Sequence, residues 1–349
     1  MKFLPFLLFI VFFGCEGKVE PNNDDEQENT PIDWTSLDLS EDFIIGSFNE
    51  EGINSEELDS ELESLSRSSD LFSIGILYKG KLITERYFSS NSDTKYPIWS
   101  VTKSIISAGY GHLIQDGLLE NTEVPISNYY TLNSAKKSAI TISHLLTMRS
   151  GVGDDTGYAS QNKPVDYILS QPLFFDPGSW WAYTSAGTHI LSDIIVKITG
   201  QSTKSYIDEN ILNKIGIDDY EWTTENGIHN GGYGIFFRLM DMLRFGQFFL
   251  QEGRSGNVQI LPKQWINIST GSLVDFNASS GYGFLWWVSK NGSEETYSAR
   301  GYAGQYIVVD PQRALVICVT SQTRYNNFDY LNRIDSLITQ LIDSFEPIK

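Results

Sequence analysis

A serine is followed three residues later by a lysine four times in this chain: Ser92 with Lys95, Ser100 with Lys103, Ser134 with Lys137, and Ser160 with Lys163. The pair matters because a serine hydroxyl is a weak nucleophile until a neighbouring base takes its proton. Lysine can be that base when burial and nearby positive charge bring its amine below its ordinary pKa of about 10.4. Context separates the four pairs. Ser92, Ser134 and Ser160 lie in polar, turn-like stretches (SSNSDTK, NSAKKS, ASQNK) with no apolar helical pattern behind them. Ser100 instead stands in YPIWSVTKSIISAGYGHLI, after Trp99 and ahead of Val101, Ile105, Ile106 and Ala108. That pattern predicts a buried helix over about 100–115, ended by Asp116-Gly117. Ser100 falls at its N-cap, and Ser100 and Lys103 share a face. Two readings fit: an activated nucleophile, or a capping serine with a lysine that snorkels to solvent.

Two further stretches carry residues suited to the same chemistry. In PGSWWAYTSAGTHILSDII (177–195), Tyr183-Thr184-Ser185 sits immediately before a helix. A tyrosine beside a Ser/Lys pair can relay a proton to a leaving group; the plainer reading is an aromatic loop that fills core. In TYSARGYAGQYIVVDP (296–311), small residues crowd a strand edge. A backbone N–H there could join that of Ser100 in an oxyanion hole, each such donor being worth about 3 kcal/mol. Trp180, Trp181, Trp286 and Trp287 could wall an acyl pocket or pack the core. His144 reads as a hydrogen-bonder at a helix start and His112 as packing. No Gly-x-Ser-x-Gly occurs, so a nucleophile elbow has no footing.

The elements that must position these residues follow from periodicity. Ile53, Leu58, Leu62 and Leu65 have helical spacing within an acidic helix, and the folded domain is expected from about residue 53. FSIGILYKGKLITERYF reads as a hairpin turning at Lys79-Gly80. Residues 118–280 read as a helical, loop-rich lobe. FLWWVSK, ETYSARGY, GQYIVVDP and ALVICVTS read as late strands, and LNRIDSLITQLIDSF as a closing amphipathic helix. The expected fold is α/β (α+β): an antiparallel sheet of about five strands, its first and last helices on one face and the helical lobe on the other.

Composition narrows the partners. Residues 16–66 hold 17 acidic residues against the single Lys18, a charge of −16 out of the chain's −19. With Lys2 counted, the 283 residues after Ser66 carry only −4, and no basic cluster suited to nucleic acid is present. The N-terminus, MKFLPFLLFIVFFGCEGK, has an 11-residue apolar run from Phe3 to Phe13, too short for a bilayer span of about 20 residues but suited to an export signal. Residues 1–14 are expected as signal peptide. Its Gly14-Cys15 junction resembles the bacterial lipoprotein pattern, with Phe12 as a departure; the alternative is an ordinary secretory signal. On the lipoprotein reading Cys15 is acylated and residues 15–52 form an acidic tether. The domain is then an envelope protein, membrane-bound by its lipid alone and monomeric. Cys318 is left as a small buried hydrophobe. The four histidines (112, 144, 189, 229) are scattered, so no metal or cofactor is expected.

The ordered set IWSVTKSI, TISHLLTMRSGV, FDPGSWWAYTSAGTHILSDII, GGYGIFFRLMDMLRFGQFFL, ILPKQW and GYGFLWW…ARGYAGQYIVVDP resembles the serine β-lactamase-related, penicillin-binding-protein-like family over about residues 72–321. That family includes class C β-lactamases, D-alanyl-D-alanine peptidases, esterases and 6-aminohexanoate-oligomer hydrolases. The resemblance implies an acyl-enzyme hydrolase with Ser100 as nucleophile, Lys103 as its base and Tyr183 as the tyrosine of the second motif. Two departures stand out. The second motif, often Tyr-x-Asn, here ends in Ser185, which keeps a hydroxyl but lacks the amide. The third, usually Lys-Thr-Gly or His-x-Gly, is Ala299-Arg300-Gly301, which lacks the group that anchors a β-lactam or D-Ala carboxylate. Arg300 is a candidate replacement, although strand alternation directs it away from the residue-299 side. The sequence therefore leans to a small ester or amide, nearest the 6-aminohexanoate branch. Tyr302 would supply the second oxyanion N–H, and Ser185, Arg300, Gly301 and Trp181 are candidate substrate contacts. The remaining alternatives are a D-alanyl-D-alanine peptidase or β-lactamase, and an inactive surface binding protein that uses the same cleft.

Overall fold

The computed structural model describes residues 32–67, 70–153, 156–291, 294–322 and 327–348. Residues 33–349 form one compact unit. Its centre is a nine-stranded sheet made of β1 (Ile44–Ile45), β2 (Leu71–Tyr78), β3 (Lys81–Tyr87), β4 (Val274–Asn277), β5 (Ser280–Tyr282), β6 (Trp287–Asn291), β7 (Glu294–Gly301), β8 (Gln305–Asp310) and β9 (Leu315–Ser321). The spatial order is β1-β3-β2-β9-β8-β7-β6-β5-β4. Every pairing is antiparallel except β1, which runs parallel to β3. The β2–β3 turn forms at Lys79-Gly80, both with positive φ (48° and 77°), as a tight twisted hairpin requires.

The sheet has nine strands where the sequence suggested about five, because short pieces extend both edges. β1 comes from the N-terminal arm, and β4 and β5 come from the stretch assigned to the helical lobe. The domain also begins earlier than residue 53. Leu39 is fully buried, its N–H donating to Ser255 Oγ (3.0 Å) and its carbonyl accepting from Arg244 Nη1 (2.6 Å). Gly46 N–H donates to the Leu82 carbonyl at 3.0 Å. These ties make residues 33–52 part of the body, consistent with the rise in apolar residues there (Trp34, Phe43, Ile44, Ile45, Phe48). Cys15 and the signal segment lie outside the described residues.

One sheet face is covered by α1 (Glu56–Ser66) and α6 (Phe328–Ser344), whose Leu62, Leu65, Ile334, Leu337 and Leu341 pack on Ile74, Ile76, Ile317 and Val319. The other face meets a larger core built with α2 (Thr102–Gln115), α3 (Ile142–Leu146), α4 (Ser185–Thr199) and α5 (Leu239–Leu250). α5 lies on the sheet itself, where Phe245 stacks on the fully buried Trp286 (6.2 Å, 6°). Cys318 is buried in β9, and burial pushes its thiol up.

Candidate active site

Ser100 sits in a single 3₁₀ turn, Trp99–Val101, that leads into α2. The turn is fixed from behind: Ile98 N–H donates to the Ile235 carbonyl (2.9 Å), where Tyr96–Pro97 pair with Phe236 and Phe237. Ser100 is not the expected N-cap. That position falls to Val101, which gives no side-chain cap, so the Ser100 hydroxyl is not used to satisfy the helix end. Trp99 has φ +48°, a conformation uncommon for a bulky residue.

Lys103 does not snorkel. It is 1% exposed, and its Nζ lies 3.0 Å from Ser100 Oγ, 3.1 Å from Ser185 Oγ and 2.7 Å from the Gly232 carbonyl oxygen. The Tyr183 ring lies under the same nitrogen at 4.7 Å. Three oxygens suit an ammonium, which donates three hydrogens. They suit a neutral amine equally: two N–H groups go to Gly232 and Ser185, and the lone pair faces the Ser100 hydroxyl. A proton can therefore pass from Ser100 to Lys103 with the heavy atoms in place.

Ser185 and Tyr183 arrive from the start of α4. Thr184 is its N-cap, accepting from Gly187 N–H at 3.2 Å, which leaves Ser185 as the first helical residue. Ser185, expected to touch substrate, thus reaches Lys103. Tyr183 stacks on Trp287 (5.9 Å, 23°). Trp181 joins the same group, edge-on to Phe276 (4.6 Å), Tyr282 (5.6 Å) and Trp287 (5.9 Å). Of the four tryptophans weighed for a wall, Trp181 and Trp287 stand beside Tyr183, Trp180 is largely exposed and Trp286 belongs to the core.

β7 ends against the nucleophile turn. A Cβ on Gly301 would come within 2.3 Å of the Ile98 carbonyl oxygen, so only glycine allows this approach. Tyr302 follows, its ring edge-on to Trp99 at 5.4 Å, which sets the residue after β7 beside the residue before Ser100. Ala299 is buried in the lobe-side core. Arg300 points to the opposite, α6-facing side, in a groove with Ser298, Tyr306, Asp335 and Thr339. There its Nε donates to Ser298 Oγ (2.9 Å), and its guanidinium lies 5.9 Å from the Tyr306 ring. Strand alternation thus sets Arg300 on the face away from Ala299, although its guanidinium also lies 6.0 Å from the Trp287 ring.

His144 closes a capping box with Thr141, its Nδ1 accepting from Thr141 N–H (3.1 Å), and burial lowers its pKa. His112 is held by Tyr206 OH (3.0 Å). Among the described residues no His/Cys/Asp/Glu group is arranged to hold a metal ion. The sequence reading missed Gly232. Its one signal was the paired glycine in NGGYG, quoted for the resemblance without a role.

Comparison with known proteins places these features in a family. Residues 72–339 match the Beta-lactamase family, and the chain belongs to it. An uncharacterised protein of Alkalihalophilus pseudofirmus is 25% identical over 311 residues, spanning 75% of this chain and 88% of its own. Two solved structures share the fold. One is a Bacillus anthracis protein provisionally named a 6-aminohexanoate-dimer hydrolase (TM-score 0.72, 22% identity, 89% and 90% of the two chains). The other is the D-amino acid amidase of Ochrobactrum anthropi SV3 (TM-score 0.67, 16% identity, 82% and 99%).

Proposed function

We propose that the protein is a serine hydrolase that forms an acyl-enzyme on Ser100 and acts on a small ester or amide. Ser100 Oγ attacks the carbonyl carbon as its proton passes to Lys103. The backbone N–H groups of Ser100 and Tyr302 receive the oxyanion. The leaving group takes a proton through Lys103 and Tyr183, and water then releases the acid by the same route in reverse. The observation that carries this reading is the buried Lys103 amine held 3.0 Å from Ser100 Oγ by two other oxygens. Family membership supports the reaction class.

The lean to an ester or amide rests on Ala299 and Arg300. The first is buried in core and the second faces α6, which weakens the case for a D-alanyl-D-alanine peptidase or a β-lactamase that anchors a carboxylate at this strand. An inactive binding protein would have no use for Lys103 in this arrangement. The same reading has the domain exported and anchored through an acylated Cys15, supported by the apolar run before it; palmitate labelling lost in Cys15→Ala tests that part. For the chemistry, hydrolysis of a short-chain p-nitrophenyl ester by wild type and Ser100→Ala decides. Turnover is expected to vanish in the variant; equal rates above background in both would overturn the reading, and background rates in both would move the inactive binding protein to the front.

A further inference from the structure

The amine of Lys103 needs two acceptors besides Ser100, and one is a backbone carbonyl. Something must hold that carbonyl. Gly232 sits in the loop Asn230-Gly231-Gly232-Tyr233, and the fully buried side chain of Asn230 spans it. Asn230 Oδ1 accepts from Gly232 N–H (2.8 Å) and Tyr233 N–H (3.1 Å). Its Nδ2 lies 3.3 Å from both Tyr158 OH and Glu225 Oε1, and the backbone carbonyl of Asn230 accepts from Trp222 Nε1 (2.8 Å). Every polar group of this amide is thus used within the protein, as burial demands.

The loop is also pressed onto α4. A Cβ on Gly231 would stand 2.1 Å from the Thr188 carbonyl oxygen, and one on Gly232 would stand 2.7 Å from Ser185 Cβ. Ser192 Oγ donates to the His229 carbonyl at 2.6 Å. Ser185 and Gly232, the two acceptors that orient Lys103, therefore belong to one block clamped at its loop end by Asn230.

We propose that Asn230 is a positioning residue for the hydrolysis. Resting on the reading of Lys103 as base, it fixes the Gly232 carbonyl so that the amine lone pair points at Ser100. Asn230 touches neither Ser100 nor Lys103 in this role; it acts through the peptide it holds. If Asn230 is removed, the carbonyl can swing, the amine loses its fixed rotation, and proton transfer slows while the cleft that binds substrate stays as it was.

The test is ester hydrolysis by the full chain carrying Asn230→Ala, with rates normalised to competent sites by titration with a serine-directed phosphonate. The expected result is a kcat lower by about 10- to 100-fold with KM unchanged, the scale on which misplacing a catalytic group is felt. Asn230→Asp made together with Glu225→Gln keeps the Oδ acceptor and removes the facing carboxylate, so it should recover most of the lost kcat. Glu225→Gln alone should leave kcat unchanged. If Asn230→Ala does not fold, Gly232→Ala takes its place, since the new methyl collides with Ser185 and displaces the same carbonyl. A kcat per competent site equal to wild type in either variant, or equal losses in the alanine and aspartate variants, would overturn the proposal. Loss of activity in Ser100→Ala beside either outcome shows that the hydrolase reading stands; its retention would sink that reading instead.

Discussion

Ser100 and Lys103 are aligned because the chain between them starts as a 3₁₀ turn. In such a turn side chains three residues apart eclipse, and in the α-helix that follows they share a face. The hydroxyl and amine meet at 3.0 Å although only Lys103 lies inside α2. Freed from capping duty, the Ser100 hydroxyl has the amine as its partner.

Lys103→Ala should cost nearly as much activity as Ser100→Ala, at least about a thousandfold in kcat, because residues that act as a unit fail together. Esterase assays on the two variants, with folding checked by circular dichroism, measure this. Near-full activity in Lys103→Ala would remove lysine from the mechanism.

Tyr183→Phe separates the ring from the hydroxyl. The ring keeps its stack on Trp287 and its place under Lys103 Nζ, so thermal stability should stay within about 0.5 kcal/mol of wild type. The kcat should fall by about 10²- to 10⁴-fold if the hydroxyl moves protons. An unchanged kcat would assign Tyr183 to packing alone.

Gly301→Ala should damage both fold and turnover. The added methyl meets the Ile98 carbonyl oxygen at 2.3 Å, so the end of β7 and the nucleophile turn must part. A stability loss of about 1–3 kcal/mol is expected, with kcat falling at least about tenfold even in the folded fraction. Full activity per folded molecule would show that the spacing between residues 301 and 98 is not critical.

Two buried groups should give the stability opposite pH slopes. Burial pushes Asp241 up to about 6 from an ordinary 3.8, so the native state holds an extra proton between those values and loses stability as pH rises through them. His189, buried with no hydrogen-bond partner among the described residues, is pushed down by burial to about 4 from 6.5. There the unfolded chain holds the extra proton, and stability grows as pH rises. Each effect is about 3 kcal/mol. Relative to wild type, Asp241→Asn should become more stable from pH 4 to 6, and His189→Phe less stable from pH 4 to 6.5. Urea melts across that range measure both; two differences of the same sign would contradict the assignment.

Much of this architecture was legible. The hairpin at Lys79-Gly80, the late strands and the amphipathic α6 follow from periodicity, and Ser100 stood apart from the other serines by the apolar residues behind it. What stayed hidden was set by tertiary contact. Ile44 and Ile45 become a strand only because β3 is there to pair with. Leu39 is buried only because Arg244 and Ser255 receive its peptide. The Gly232 carbonyl carries no side-chain signature at all, so a reading that looks for reactive residue types passes over it. The pleat turns Arg300 away from the Ala299 side, as alternation along the strand already indicated in the sequence.

The left-handed backbone at Trp99 has a consequence for how this domain can change over time. Holding a bulky residue at φ +48° costs about 1–3 kcal/mol, and the edge contact with Tyr302 is part of what offsets it. A glycine there would relax the backbone, but it would give up the indole's packing and loosen the unfolded chain. It would also release Tyr302 from its neighbour and leave the ground next to Ser100 free to move. Strain and the contact that offsets it are therefore coupled at one position, one residue before the nucleophile.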